Sequence, residues 1–301
     1  MIRLLRGVSI AALVAAIILV VVAQVTQNMN RDDTLPTITA DSETLEIPCA
    51  YTQDQLMAGV TASDAVDGDL TGQIMMGTFS HFIEPGVCNL KYVVFDSSEH
   101  MASLTRRVQF TDYHSPQFAL AEGLNFAKNT TSRTEVEQLF TASDVLDGDL
   151  TDWITFSDSD AAYNAAGAYT LHAEVRNSFG DMVSYDFPIH VYERDAMDFD
   201  ISLNQSLVYL DQGASFDPMA YLNSISDNSG NQYDPMLLDV DSAVDTSVPG
   251  LYEVHYMIGG NTGTPYIPTE EEEPAPLLTW VQDSSMYGET WLTVIVQEVQ
   301  E

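Results

Sequence analysis

The ten residues Ala62–Thr71 read ASDAVDGDLT, and the ten residues Ala142–Thr151 read ASDVLDGDLT. Eight of the ten letters match between these two copies, which lie eighty residues apart. A repeat at a fixed period indicates a structural module that the chain contains more than once. The shared D-x-x-D-G-D pattern has three candidate roles: a turn, a metal site or a catalytic carboxylate group.

Each copy is followed by a glycine and then by alternating apolar and polar residues. The first run, EPGVCNLKYVVF, begins at Glu84, the second, AAGAYTLHAEV, begins at Ala165, and a third, VPGLYEVHYMI, begins at Val248. Alternation with many Val, Tyr and Phe residues is typical of β-strands. In the first two copies a polar turn and another alternating run follow, which predicts that a hairpin closes each repeat.

The spacing of these segments predicts an all-β protein. Short strands with turn signals, in modules of about 80–100 residues, are typical of immunoglobulin-like β-sandwiches. We therefore expect three tandem Ig-like modules, at residues 34–113, 114–195 and 196–301, preceded by one N-terminal transmembrane helix. The linkers between the modules are short, which favours a stiff rod over flexibly joined beads.

The combination of A-x-D-x-x-D-G-D-L-T with a later P-G-x-Y-x-V-x-Y resembles the bacterial immunoglobulin-like repeats of surface proteins and of some crystal-toxin relatives. The first two repeats carry this pattern well. The third departs from it, because Ser224–Asp234 read SISDNSGNQYD and lack D-G-D. The resemblance implies non-catalytic spacer or adhesion modules at a cell surface, and it implies architecture more strongly than any partner.

The charge of the chain argues against some classes of binding partner. Ten Lys and Arg residues stand against 45 Asp and Glu residues, a formal net charge of −35. Such a body repels phosphate backbones and anionic lipid head groups, so we expect no nucleic-acid partner. The acidity also suits solubility in a salty exterior.

The N-terminus predicts export. Residues 1–7 form a basic stub with Arg3 and Arg6, and residues 8–25 form an apolar stretch near the lower limit for spanning a bilayer. The positive-inside rule then places the stub in the cytoplasm and the C-terminal part outside the cell. We favour an uncleaved signal-anchor, and a secretory signal cut after Ala23 is the rival interpretation.

The first interpretation of the acidic decapeptide is structural. Gly68 and Gly148 lie between two Asp residues, where a positive φ is readily supplied. Asp side chains beside such a glycine hydrogen-bond to local N–H groups and hold a turn. On this interpretation the motif is repeated because the fold is repeated.

The second interpretation is a calcium site, because Ca²⁺ binds six to eight oxygens supplied from flexible loops. In each sandwich we expect the decapeptide and a later polar turn to meet at one end. The turn would add Glu99 in the first repeat, and Asn177 and Asp181 in the second, as further oxygen ligands of the metal ion. The candidate metal ligands are Asp64, Asp67, Asp69 and Asp96 in the first repeat and Asp144, Asp147 and Asp149 in the second.

The third interpretation, catalysis, has the least support. Paired carboxylates can cleave glycosides, but such a site occurs once, in a cleft, and not in two successive small modules. The sequence contains no G-x-S-x-G, H-E-x-x-H, P-loop or G-x-G-x-x-G motif. We expect no enzyme activity and no catalytic residue.

Two further features are candidate sites. Cys49 and Cys88 are the two cysteines, and export would permit a disulfide between them, with two buried thiols as the alternative. A long loop, 259–289, replaces a short turn in the third module. Its aromatic and aliphatic residues suit contact with a partner or an extra hairpin on the module's own sheet. These candidate partner-binding residues are Tyr266, Ile267, Leu277, Trp280 and Tyr287.

The sequence as a whole predicts a non-catalytic, membrane-anchored extracellular protein that acts as a spacer, adhesion module or binding scaffold in the bacterial envelope. Protein or glycan ligands at the cell surface are the expected partners. One alternative is an adhesion rod that binds calcium at its acidic loops. Another is an accessory subunit of a membrane complex for envelope assembly or export.

Overall fold

A computed structural model describes residues 12–23, 33–157, 162–193, 197–259, 277 and 285–298. The chain divides into two compact units, Met1–Asp112 and Tyr113–Glu301. Most of the described residues lie in β-strands, and the helices are few and short. The predicted β class is therefore confirmed.

Residues 12–23 lie in a helix, α1, with exposed side chains. Among the described residues, no helix has both the length and the apolar character needed to cross a bilayer. The stub at residues 1–7 lies outside the described residues, as do both ends of the span at 8–25. The transmembrane signal-anchor accordingly stays a prediction.

The first unit contains two sheets, with strand orders β1-β3-β4 and β2-β7-β6-β5. The long hairpin β6–β7 corresponds to the alternating runs of the first repeat, and β2 pairs with β7 in parallel. The elements of this unit are β1 (Thr37–Ala40), β2 (Thr44–Ile47), α2 (Gln53–Met57), β3 (Val60–Asp64), β4 (Gly68–Asp69), a 3₁₀ turn (Thr71–Gln73), β5 (Met75–Phe79), β6 (Val87–Phe95) and β7 (Met101–Phe110).

The second unit begins with two sheets that repeat this arrangement, with strand orders β8-β10-β11 and β9-β14-β13-β12. The hairpin β13–β14 corresponds to the alternating runs of the second repeat, and β9 pairs with β14 in parallel. The elements are β8 (Gln117–Leu120), β9 (Asn125–Ala127), α3 (Arg133–Glu137), β10 (Phe140–Asp144), β11 (Gly148–Asp149), a 3₁₀ turn (Thr151–Trp153), β12 (Thr155–Ser157), β13 (Gly167–Arg176) and β14 (Met182–Tyr192).

The second unit continues with the sheets β15-β17 and β16-β20-β19-β18. Strand β16 again pairs in parallel with the last strand of a long hairpin. The elements are β15 (Phe199–Leu203), β16 (Leu207–Asp211), a 3₁₀ turn (Pro218–Tyr221), β17 (Leu222–Asp227), a 3₁₀ turn (Pro235–Leu237), β18 (Asp239–Ser242), β19 (Gly250–Gly259) and β20 (Tyr287–Gln297).

Sequence features explain these local structures. The short helices α2 and α3 each begin with a capping box, Thr52 with Gln55 and Ser132 with Glu135. Alternation in the hairpins places one face of each strand in the core, as in β6, where every second residue from Cys88 to Val94 is buried.

The core of the second unit lies between its facing sheets, which makes a β-sandwich. Phe118 and Phe140 from the small sheet pack edge-to-face on Phe187 of β14. Leu207 and Ile295, from the sheet that follows, join the same cluster. A strand arrangement that recurs three times fits the predicted repeats, but the compact units number two, so the three module boundaries stay predictions.

Candidate functional site: the acidic loops

The acidic loops, Asp64–Asp69 and Asp144–Asp149, connect antiparallel strands. The last residue of β3, Asp64, faces Gly68 across the hairpin, and Asp144 of β10 faces Gly148 in the same register. Both glycines have positive φ, 76° and 77°, and a Cβ at either position would meet no atom within 4 Å. Backbone conformation and not crowding therefore requires glycine here.

The first Asp of each loop ties the loop to itself. Asp64 Oδ1 accepts hydrogen bonds from the N–H groups of Val66 (2.7 Å) and Asp67 (3.1 Å). Asp144 Oδ1 does the same with Leu146 (2.8 Å) and Asp147 (3.0 Å). Both Asp residues are buried, so these bonds replace the water that the carboxylates lose.

The second Asp of each loop reaches the turn of the long hairpin. Asp67 Oδ2 accepts a hydrogen bond from Ser97 N (2.7 Å), and Asp147 Oδ2 accepts one from Ser178 N (2.6 Å). The expectation that each decapeptide meets the later polar turn at one end of its sheets is therefore confirmed. The two bonded residues are 30 positions apart in the first copy and 31 in the second.

The third Asp accepts a hydrogen bond from the first residue of the 3₁₀ turn that follows. Asp69 Oδ1 accepts from Thr71 N, and Asp149 Oδ1 accepts from Thr151 N, both at 2.9 Å. The hydrogen bonds from Thr71 and Thr151 lower the pKa of Asp69 and Asp149. The N–H groups of Val66 and Asp67 likewise outweigh burial and lower the pKa of Asp64.

The hairpin turns contain their own polar centres. Asp96 accepts hydrogen bonds from Ser98 N and from both His100 N and His100 Nδ1, which outweigh the effect of burial and lower its pKa. Asn177 takes the place of Asp96 in the second repeat and accepts from the N–H groups of Phe179 and Asp181. Glu99, within the first of these turns, has a left-handed backbone conformation, φ 67°.

The carboxylates predicted to bind calcium are already hydrogen-bonded to other groups of the protein. All seven carboxylates of that hypothesis accept hydrogen bonds from the chain: Asp64, Asp67, Asp69, Asp96, Asp144, Asp147 and Asp149. Within the described residues no group of three or more His, Cys, Asp or Glu side chains is placed to share a metal ion. The geometry is that of a hydrogen-bonded turn, and calcium binding stays a prediction.

A third acidic loop was missed by the sequence analysis because it lacks D-G-D. Asp227 ends β17 as Asp64 ends β3, and its Oδ1 accepts from the N–H groups of Ser229 and Asn231, both at 2.9 Å. Its Oδ2 accepts from Tyr233 Oη (3.0 Å), and Tyr233 is buried where the other loops have leucine. The shared S-D at the end of a strand is the signal that could have identified it.

A buried tyrosine before β8 was also missed. Tyr113 Oη donates to Asp181 Oδ2 (2.6 Å) and accepts from Asn177 Nδ2 (2.9 Å). Asn177 Nδ2 in turn lies 3.2 Å from Asp144 Oδ2. Burial and the neighbouring Asp181 carboxylate raise the pKa of Tyr113. The segment that enters the second unit is therefore hydrogen-bonded to the same end of the sheets as the acidic loop.

Only some of the residues predicted to bind a partner from the long loop belong to the part of the chain that the structure describes. Tyr266, Ile267 and Trp280 lie outside the described residues, and Leu277 is exposed. Tyr287 is the first residue of β20 and so lies in a strand, within the range predicted as the loop 259–289. Its role in partner binding stays a prediction. Tyr287 pairs with Gly259 across the hairpin. At the next position, Gly288, a Cβ would lie 2.6 Å from the Cβ of Phe199, so a side chain would not fit there.

The two cysteines are both buried, Cys49 at 7% exposure and Cys88 at 0%. Burial raises the pKa of the Cys88 thiol to about 12. Both thiols influence Tyr51, whose pKa is raised by burial and by these neighbours, so the two cysteines lie near one aromatic ring. The disulfide between them stays a prediction.

Comparison with known proteins gives distant similarity. No family model matches the chain. The pesticidal crystal protein Cry22Aa of Bacillus thuringiensis is 25% identical over 241 residues, which cover 76% of this chain and 32% of that protein. The chain thus spans about a third of the length of this curated relative.

Solved structures are similar only in part. The CBM51-2 and INT domains of Clostridium perfringens ZmpB, in complex with GlcNAc, give 19% identity and a TM-score of 0.22, covering 50% of this chain and 26% of that one. Human CDH23 EC21-23 gives 11% identity and a TM-score of 0.22, covering 87% and 100%. TM-scores this low do not establish a common arrangement of the whole chain.

Proposed function

We propose that the chain is a non-catalytic scaffold of the bacterial cell envelope, anchored by its N-terminal apolar segment, with its β-sandwiches outside the membrane. On this proposal it spaces or presents a binding surface for a protein or glycan ligand. The proposed localisation is the cell membrane, with a single pass and an extracellular C-terminal part. No enzyme activity belongs to this proposal.

One observation carries the non-catalytic assignment. The carboxylates of the acidic loops accept hydrogen bonds from their own loop and turn, and the pKa values of Asp64, Asp69 and Asp149 are lowered by those bonds. A general acid in glycoside cleavage needs the opposite, a carboxyl group with a raised pKa beside an ionised partner. The loops are therefore suited to holding the sandwich and not to proton transfer.

The repeated architecture supports the scaffold role. The same strand order recurs along the chain, and sheets of successive repeats in the second unit share one core cluster through Leu207 and Ile295. A continuous core between neighbouring sheets resists bending, because any hinge there would expose buried apolar surface. Such a construction suits a spacer that holds a surface at a distance from the membrane.

The test compares the intact chain with residues 24–301 in native membranes. We expect the intact chain to sediment with membranes, to be digested by protease added to whole cells, and to capture the same partners as the shorter chain. Partners that require the N-terminal segment would instead support the accessory subunit of an envelope or export complex. Protection from external protease, or turnover of a captured ligand, would contradict the proposal.

A further inference from the structure

An open cleft of about 680 Å³ lies in the second unit between β8–β10–β11 and β16, and we call it the junction cleft. Its volume falls within the usual range of ligand pockets, about 300–1,000 Å³. The residues that line it are mainly uncharged hydrogen-bonding groups and tyrosines. They include Gln117, Ala119, Ser143, Asp149, Tyr209 and Tyr221. We propose that the junction cleft binds a neutral oligosaccharide, an inference that rests on the proposed binding role and names its ligand class.

One wall of the junction cleft is a polar row across three strands. Ser143 of β10 faces Gln117 of β8 on one side and Asp149 of β11 on the other. Directly facing residues project from the same side of a sheet and lie about 5 Å apart. An amide, a hydroxyl and a carboxylate therefore stand side by side, and all three groups can form hydrogen bonds with the hydroxyl groups of a sugar.

Residues from outside this sheet supply aromatic surface. Tyr221 lines the cleft, and its ring packs on Phe216 with centroids 5.7 Å apart and planes 29° from parallel. A ring backed in this way keeps its orientation, which lowers the entropy lost when a ligand packs against it. Sugars present apolar C–H faces that pack on such rings while their hydroxyls bond to polar neighbours.

The charges in and around the cleft favour a neutral ligand over an anionic one. Among the described residues, the cleft has no Lys, Arg or His, and hydrogen bonds from Thr151 lower the pKa of Asp149, so its carboxylate is ionised at neutral pH. Anionic ligands are repelled here and by the net charge of −35. An ionised carboxylate accepts strong hydrogen bonds from the hydroxyl groups of a neutral sugar.

Pairing with a peptide strand is disfavoured at this position. An extended peptide would bind by pairing with the free edge of β8. The edge N–H of Phe118 already donates to Tyr209 Oη at 2.7 Å. That bond also joins β8 to β16, and a bond from Gln117 Nε2 to Gln297 Oε1 at 3.2 Å joins β8 to β20. The site is therefore held open without a ligand.

The first unit provides a matched control. Thr37, Ser63 and Asp69 form the same polar row, in the same register, on β1–β3–β4. Thr39 corresponds to Ala119 of the junction cleft. Each lies on the first strand of its sheet, two residues after the member of the polar row, and each faces a threonine on the neighbouring strand. If binding needs the tyrosine wall as well as the row, only substitutions in the junction cleft will affect it.

The experiment measures binding of the full chain, in detergent micelles, to neutral hexasaccharides of glucose, mannose and N-acetylglucosamine, with a hexamer of galacturonic acid as the anionic probe. We expect at least one neutral hexasaccharide to bind. Asp149→Asn removes a charge-assisted acceptor and Ala119→Trp fills the cleft, so each should weaken binding about tenfold or more. The matched variants Asp69→Asn and Thr39→Trp should bind as the unmodified chain does.

Circular dichroism of each variant confirms folding, and Asp149→Asn keeps a side-chain oxygen that can accept the hydrogen bond from Thr151 N. Binding of none of the neutral probes, preference for the galacturonic acid hexamer, or equal losses in the matched variants would each overturn the inference. Those results leave the proposed scaffold function standing. Shortening of a bound hexasaccharide would contradict the scaffold function itself, because it would show catalysis.

Discussion

Trp291 stacks on His190, with ring centroids 4.1 Å apart and planes 7° from parallel. His255, the residue directly opposite Trp291 on β19, stacks on the indole with the same distance and angle, so the two imidazoles cover its two faces. Each imidazole also meets a carboxylate: His190 Nε2 lies 2.8 Å from Glu253, and His255 Nε2 lies 2.9 Å from Glu289. This cluster joins β14 to the last hairpin of the second unit.

Trp291→Ala should destabilise the second unit by about 3 kcal/mol, because it removes a large packed side chain and two stacking contacts. The measurement is chemical denaturation followed by far-ultraviolet circular dichroism. Trp153→Ala is the matched control, since Trp153 is 53% exposed and its loss should change stability by about 0.5 kcal/mol or less. Equal effects of the two substitutions would show that the stacked rings contribute little.

Glu289 should make stability depend on pH at the acid end. Burial raises the pKa of Glu289, but hydrogen bonds from His255 and Tyr287 outweigh it, and the pKa lies below the ordinary 4.5. A folded-state pKa below the unfolded one means that the ionised carboxylate stabilises the fold above the ordinary pKa. This contribution is lost as pH falls through the folded-state pKa.

Glu289→Gln should therefore flatten the loss of stability between roughly pH 5 and pH 3. Denaturation midpoints across this range, for the unmodified chain and the variant, provide the measurement. Glu122→Gln serves as the control because Glu122 is exposed. A variant at Glu289 with the slope of the unmodified chain would argue against the lowered pKa.

Asp144→Ala should cost about 2 kcal/mol of stability, because the N–H groups of Leu146 and Asp147 and the buried amide of Asn177 would lose their acceptor. Thermal unfolding of the full chain measures this effect. Asp152→Ala, in the neighbouring exposed 3₁₀ turn, should leave the midpoint almost unchanged. If both variants unfold at the same temperature, the loop is not held by its first Asp.

Addition of calcium distinguishes the two interpretations of the acidic loops, a hydrogen-bonded turn and a calcium site. Because the loop carboxylates already accept hydrogen bonds from the chain, we expect millimolar calcium to leave the unfolding midpoint of the full chain unchanged, with magnesium as the control. A calcium-specific rise that disappears in a variant combining Asp67→Asn and Asp147→Asn would support the calcium-binding rod instead.

Cys88 should resist alkylation in the folded chain, because burial raises the pKa of its thiol to about 12 and leaves little thiolate at neutral pH. Mass spectrometry after iodoacetamide treatment, with and without denaturant, measures this protection. Omitting the reductant from the denatured sample tests the disulfide. Full alkylation under those conditions would exclude a bridge, and its absence until reductant is added would establish one.

Much of the fold was predictable because its signals are local. Period-two alternation identified the long hairpins, and the D-G-D turns located the ends of β3 and β10. The third acidic loop was not predictable in this way. Asp227 also ends a strand and accepts two N–H groups of its own turn, but the second comes from the fourth residue on, and from the third in the loops of Asp64 and Asp144. Its turn contains Asn, Ser and Gly, so a motif defined by letters misses a related turn that other sequences form.

The candidate sites also depend partly on local sequence and partly on contacts between residues far apart in the chain. Asp67 and Asp147 were identified as site residues from sequence, but their partners, the N–H groups of Ser97 and Ser178, depend on a contact about thirty residues away. The stacked cluster around Trp291 and the junction cleft had no signal in the sequence. Their residues come from strands far apart in the chain, and no local pattern records which strands the fold will place together.

The sequence by itself determined the β class, the repeat and the turns, because alternation, glycine conformation and Asp hydrogen bonding act within a few residues. Only the tertiary structure decided what the repeated acidic loops do. It brings each loop against its hairpin turn, where N–H groups occupy the carboxylates. It also brings Tyr221 to the same cleft as Ser143 and Asp149, because adjacent sheets share one core and this fixes which of their surfaces lie together.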